Sequence, residues 1–194
     1  MKTYFRLPVL LLGIVFAQCT GTAEVVPAVD YDQVSQELMQ ALAPQLVGTW
    51  TLRQVHVSFQ RGAYYQAQIP IIRDTLFQDL ATLTIRPAQT LRKSSPDKRY
   101  PEFEGTLLFR SKSYPVYFEL RAHPDRVVQQ QGPQALFMLE TNFPVGSRIM
   151  EPEEQFLRNL GLLGDNYSLD LIDGQPTMIW RGLSRGVNRV ELRK

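Results

Sequence analysis

From Leu46 onward the apolar residues return on every second position, a spacing that buries one face of a strand but cannot bury one face of a helix. Ala81, Leu83 and Ile85 alternate with Thr82, Thr84 and Arg86, and Phe103, Leu107 and Phe109 alternate with Glu102, Glu104, Thr106 and Arg110. Val116, Phe118 and Leu120 resume the pattern after a short turn, so residues 103–120 read as one antiparallel hairpin. Within 49–59 the apolar parity switches between Leu52 and Val55, which implies a bulge or bend near Gln54. Further strands are expected over 135–140, 167–171, 177–183 and 187–192, with Asp173-Gly174 as a turn. The fold class is therefore all-β: eight antiparallel strands in series, closing into an up-and-down barrel or, as the alternative, stacking as a β-sandwich.

Two short helices interrupt the strands. Asp30 and Gln33 have capping-box spacing, Val34, Leu38 and Leu42 follow at helical spacing, and Pro44 ends the run, giving a helix over 31–43 inside an N-terminal helical segment 30–45. Glu151-Pro152-Glu153-Glu154, then Phe156, Leu157, Leu160 and Gly161, places proline and acid at the start of an inserted helix and glycine at its end. The helix macrodipole accounts for those acids. Residues 60–79 match no element, yet contain Tyr64, Tyr65, Ile69 and Ile71, apolar for an exposed connection.

The first eighteen residues have a different character. Lys2 and Arg6 precede an apolar run from Leu7 to Ala17, too short to span a bilayer, as in a secretory signal. Cleavage after Ala17 and cleavage before Cys19 both fit. Val15-Phe16-Ala17-Gln18-Cys19 resembles the bacterial lipobox, although Phe16 and Gln18 depart from its preferences. That resemblance implies a signal peptide over 1–18, a lipid on Cys19, a linker over 19–29, and a domain over 46–194 held at a membrane of the bacterial cell envelope.

Charge and side-chain chemistry remove several function classes. Lys2 and Arg6 carry the whole formal charge of +2, so residues 19–194 are neutral and lack the basic stripe that nucleic acid requires. A single cysteine allows no disulfide and no thiolate metal site. His56 and His123 have no carboxylate at metal-ligand spacing, and no nucleophile set can be assembled. A non-enzymatic protein without metal or cofactor is the expectation.

Leu46-Val47-Gly48-Thr49-Trp50 resembles the Gly-x-Trp opening of the lipocalins and of bacterial lipocalin-like lipoproteins, members of the calycin group of β-barrels. The family's middle Thr-Asp-Tyr motif has no counterpart in this chain. The resemblance implies an eight-stranded barrel that begins at Gly48 and Trp50, with an arginine of the last strand, Arg189 or Arg193, across the tryptophan ring. It also implies a small apolar or amphipathic ligand in a cavity lined by Trp50, Leu83, Phe103, Leu107, Phe109, Phe118, Phe137 and Tyr167, under a lid of Tyr64, Tyr65, Ile69 and Ile71. The same side chains would equally fill a solid core. In that alternative the protein is a structural or assembly lipoprotein that works by protein–protein contacts through helix 151–160 or the N-terminal helix, with a partner the sequence does not name.

Overall fold

A computed structural model describes residues 29–61, 69, 71–89, 100–144, 146 and 148–194. The signal segment, Cys19, most of the linker, Tyr64 and Tyr65 lie outside the described residues.

Helix α1 spans Tyr31–Leu46, and Asp30 caps it by accepting the amides of Asp32 and Gln33. It runs past Pro44, which was expected to stop it. A proline in the last turn forfeits only one intrahelical bond, the one its missing N–H would have made to the Gln40 carbonyl. The stripe it buries is Met39, Leu42 and Leu46.

The strands are β1 (Gly48–Val57), β2 (Thr75–Gln78), β3 (Thr82–Pro87), β4 (Glu102–Phe109), β5 (Lys112–Glu119), β6 (Arg121–Ala122), β7 (Ala135–Met138), β8 (Glu140–Thr141), β9 (Asn166–Leu171), β10 (Thr177–Gly182) and β11 (Val187–Arg193). Helices α2 (Pro124–Gln129) and α3 (Pro152–Leu160) are inserted after β6 and β8. In β1 the register shifts between Leu52 and Gln54, so Arg53 is the extra residue that puts Trp50, Leu52, Val55 and Val57 all inside. Beyond the bulge β1 pairs with β2 rather than β3, a strand hidden in the segment where none was expected. The β4–β5 hairpin turns on Arg110 and Ser111 alone, both at positive φ, the geometry of a type I′ turn.

All eleven strands belong to one sheet, in the order β6-β7-β9-β10-β11-β1-β3-β4-β5-β8, which excludes a two-layer sandwich. The sheet is an open, curled half-barrel, and its terminal strands β6 and β8 lie 14 Å apart. This corrects the closed eight-stranded barrel and, with it, the lipocalin likeness. The physical reason is an interruption: the β5–β8 ladder ends at Tyr117 and Glu140, and the β6–β7 ladder begins at Arg121 and Leu136. Alternation along a strand encodes curvature and an inner face. It does not encode whether this last pairing is made.

The ends of the half-barrel are covered. At the end where β1 begins, α1 packs beside β6 and α2, and the Trp50 indole donates to the Leu46 carbonyl at 2.7 Å. At the other end α3 lies over the sheet, stacking Phe156 on Phe109 at 5.7 Å and meeting Phe77 edge-on at 6.2 Å. Gly105 lets β3 and β4 close up, since a Cβ there would sit 2.2 Å from the Thr84 carbonyl oxygen. Gly105→Ala is accordingly expected to cost about 1–3 kcal/mol, read as a lower urea midpoint with an unchanged slope.

Candidate functional site

The residues proposed to line a cavity divide into two groups. Trp50, Leu83, Phe103, Leu107 and Phe109 are buried in the core, and none lines the open groove described below. Phe118, Phe137 and Tyr167 are also buried, and they are the three that line that groove as well. Rings run continuously through the interior: Phe103 stacks on Phe118 at 5.0 Å, Phe118 meets Phe137 at 5.3 Å, and Phe137 contacts both Tyr167 and Trp180. Such a chain occupies the space that a ligand in an enclosed barrel would need. With the sheet unclosed as well, the enclosed ligand site is corrected. Of the lid residues within the described part, Ile69 and Ile71 are buried in the core, not poised above a mouth.

Gly48 and Trp50 do begin the first strand, and Gly48 has a φ of 130°. A cation does sit over the Trp50 ring, but it is Lys194, with Nζ 4.7 Å from the centroid and donating to the Gln45 carbonyl. Arg189 and Arg193 both pair with Glu191 on the outer face of β11. Parity explains the difference. Val190 and Leu192 point inward, so Arg189 just before them and Arg193 just after them face outward.

The groove lies along the interrupted seam between β5 and β7 and encloses about 590 Å³. Register fixes its geometry. The Leu120 amide donates to Pro101 and the Asn142 amide to Pro115, so even positions of β5 bond β4 while odd positions face β7 and β8. Glu119 therefore faces Met138. Leu136, Met138 and Leu183 form an apolar rim, the last two 37% and 55% exposed, and Phe118, Phe137 and Tyr167 line the groove from the strands beneath. Glu119, Arg121 and Glu140 supply the ionisable groups, and Arg121 pairs with Glu119 at 2.8 Å. Tyr117, also on the wall, donates its hydroxyl to Glu102.

Above the groove α3 is held by charge as well as by packing. Glu154, attributed from sequence to the helix macrodipole, is 0% exposed and lies between Arg148 and Arg158. Arg158 continues to the Thr141 hydroxyl on β8, and its carbonyl accepts from Arg185 in the β10–β11 turn. The four-residue spacing of Glu154 and Arg158 was the available signal. At the helix start, Lys112 bridges Glu153 at 2.9 Å and Glu151 at 3.2 Å. Hydrogen bonding to Glu153 raises the Lys112 ammonium, and the same bond lowers the Glu153 carboxyl. Burial, and then the hydrogen bond to Glu151, push the Tyr114 phenol up to about 12. Burial likewise pushes up Tyr167, whose hydroxyl donates to the Gly161 carbonyl. Helix 151–160 thus plugs this end with its apolar face turned to its own sheet. Among the described residues no group of three metal-ligating side chains comes together.

Comparison of the chain with protein-family models, with curated proteins and with solved structures gives no match.

Two outcomes follow for the plug. Glu154→Ala leaves two guanidinium groups without their buried anion and is expected to cost about 3–5 kcal/mol in urea unfolding. Tyr114 ionises later folded than unfolded, so the stability it contributes is intact below about pH 10 and falls as pH rises from there toward 12. In an ultraviolet titration, Tyr114→Phe should remove one phenol titrating near 12.

Proposed function

We propose that this chain is a non-enzymatic envelope protein, tethered through a lipid on Cys19, that works by protein–protein contact. The observation that carries this reading is the aromatic chain through the interior. Side chains that would have to stand apart for a ligand stack on each other instead, at 5.0 and 5.3 Å between ring centroids. What remains available is the outside, and its strongest feature is the seam groove with Leu136, Met138 and Leu183 on its rim. Exposed apolar side chains beside polar ones are what a contact surface needs. The tether is supported by the lipobox resemblance and by the position of the only cysteine at the end of the apolar run.

Photo-crosslinking in native membranes tests both parts. A benzophenone side chain at Leu183 on the groove rim, with Tyr31 and Ile149 as sites away from it, is expected to give a discrete adduct with a second protein from at least one position. Cys19→Ala should move the protein from the membrane to the soluble fraction and weaken that adduct. No adduct from any position would overturn the contact reading, and unchanged partitioning of Cys19→Ala would overturn the anchor.

A further inference from the structure

We propose that β2 pairs edge to edge with β2 of a second copy of this chain, antiparallel across a two-fold axis centred on Leu76. The first observation is an edge strand with one side in use. Of the eleven strands, β2 alone lies off the continuous path of the sheet, and among the described residues it pairs with β1 only. The length of the neighbouring hairpin is the reason. β3 pairs with β4 as far as Thr82 and Leu108, and the β4–β5 hairpin turns back at Arg110 and Ser111, so β4 has no residues left to place beside Thr75–Gln78.

The second observation is which main-chain groups that side presents. The Ser58 amide, just past β1, donates to the Gly186 carbonyl before β11, and the Asp79 amide donates to the Arg53 carbonyl. Beyond its bulge, β1 therefore bonds β11 through even positions and β2 through odd ones. Val55 lies opposite Phe77 and Val57 opposite Thr75, so Thr75 and Phe77 are the residues that bond β1. The N–H and C=O groups of Leu76 and Gln78 point to the other side, and the Leu76 side chain is 45% exposed.

The third is that the segment complements itself. With Leu76 opposite Leu76 of the copy, Thr75 comes opposite Phe77 and Asp74 opposite Gln78, and each exposed leucine covers the other. One residue beyond each end, Arg73 of one copy meets Asp79 of the other, so the flanking charges are opposite in sign. Asp79 holds Arg53 at 2.5 Å within its own chain, and a carboxylate has lone pairs for a second guanidinium. No proline or lysine lies in 71–80 to blunt the edge. Because both edges are used up, such pairing closes at two copies.

The test is a disulfide across the axis. Facing residues of a hydrogen-bonded antiparallel pair stand about 5.5 Å apart at Cα, within disulfide range. Leu76→Cys in the full chain is oxidised in native membranes with copper phenanthroline. Unsubstituted protein, Gln78→Cys and Leu108→Cys on the exposed face of β4 are the controls. Expected is a reducible band at twice the monomer mass, at least tenfold stronger from Leu76→Cys than from any control. Adding Gln78→Pro removes an amide that faces away from β1, and should weaken that band at least tenfold. Adding Arg73→Glu brings an acid opposite Asp79, and should weaken it at least threefold. If Gln78→Pro does not fold, Arg73→Glu decides alone. No doubled band from Leu76→Cys, an equal band from Leu108→Cys, a band undiminished by either added substitution, or an adduct of another mass would overturn the pairing. β2 supplies no residue to the groove, so that failure would leave the contact surface proposed above standing.

Discussion

Where the ladder between β5 and β7 is interrupted, two phenylalanines hold the sheet together. Phe118 and Phe137 meet at 5.3 Å on the inner face of the seam, and through Phe103 on one side and Tyr167 and Trp180 on the other they join the walls of the half-barrel. Buried aromatic pairs of this kind contribute about 0.5–1.5 kcal/mol each beyond the area they bury. The contact has two faces with opposite consequences. Inside, it fills the volume of the half-barrel with the protein's own side chains. Outside, the same stretch of sheet carries the groove rimmed by Leu136, Met138 and Leu183.

The helices complete this arrangement by different means. Helix α1 uses a plain apolar stripe, and its link to the sheet is the Trp50 indole bound to the Leu46 carbonyl with Lys194 above the ring. Helix α3 uses an apolar stripe and a buried carboxylate clasped by two arginines, one of which also bonds β8, the strand at one end of the open path. Charge pairs removed from water gain little net stability, but their geometry is strict. The clasp therefore fixes where α3 and β8 sit relative to each other, and so fixes the upper end of the seam.

Much of the local structure is written in the sequence, and the reasons for the rest are physical. The parity switch in 49–59 marks the bulge at Arg53 to within one residue, because inward positions must be apolar on both sides of it. Strand β2 left no such mark: Leu76 is exposed, so apolar and polar positions do not alternate in the usual sense. Glu154 has the same residue type as its solvated neighbours, and its burial depends on Arg148, which only the folded chain brings alongside. Gly48-x-Trp50 correctly marks the start of the first strand, but the motif is local. Closure of a sheet depends on how its two end strands, here β6 and β8, come to lie, and alternation along each strand does not encode that.

Amide hydrogen exchange followed by NMR addresses the interrupted seam most directly. The amide of Met138 points across the seam, whereas those of Phe103 and Phe118 lie within the β4–β5 ladder. The account predicts that the first exchanges at least a hundredfold faster than the other two under native conditions. Equal protection of all three would mean that the wall is continuous, and the open sheet on which the proposed function rests would not exist.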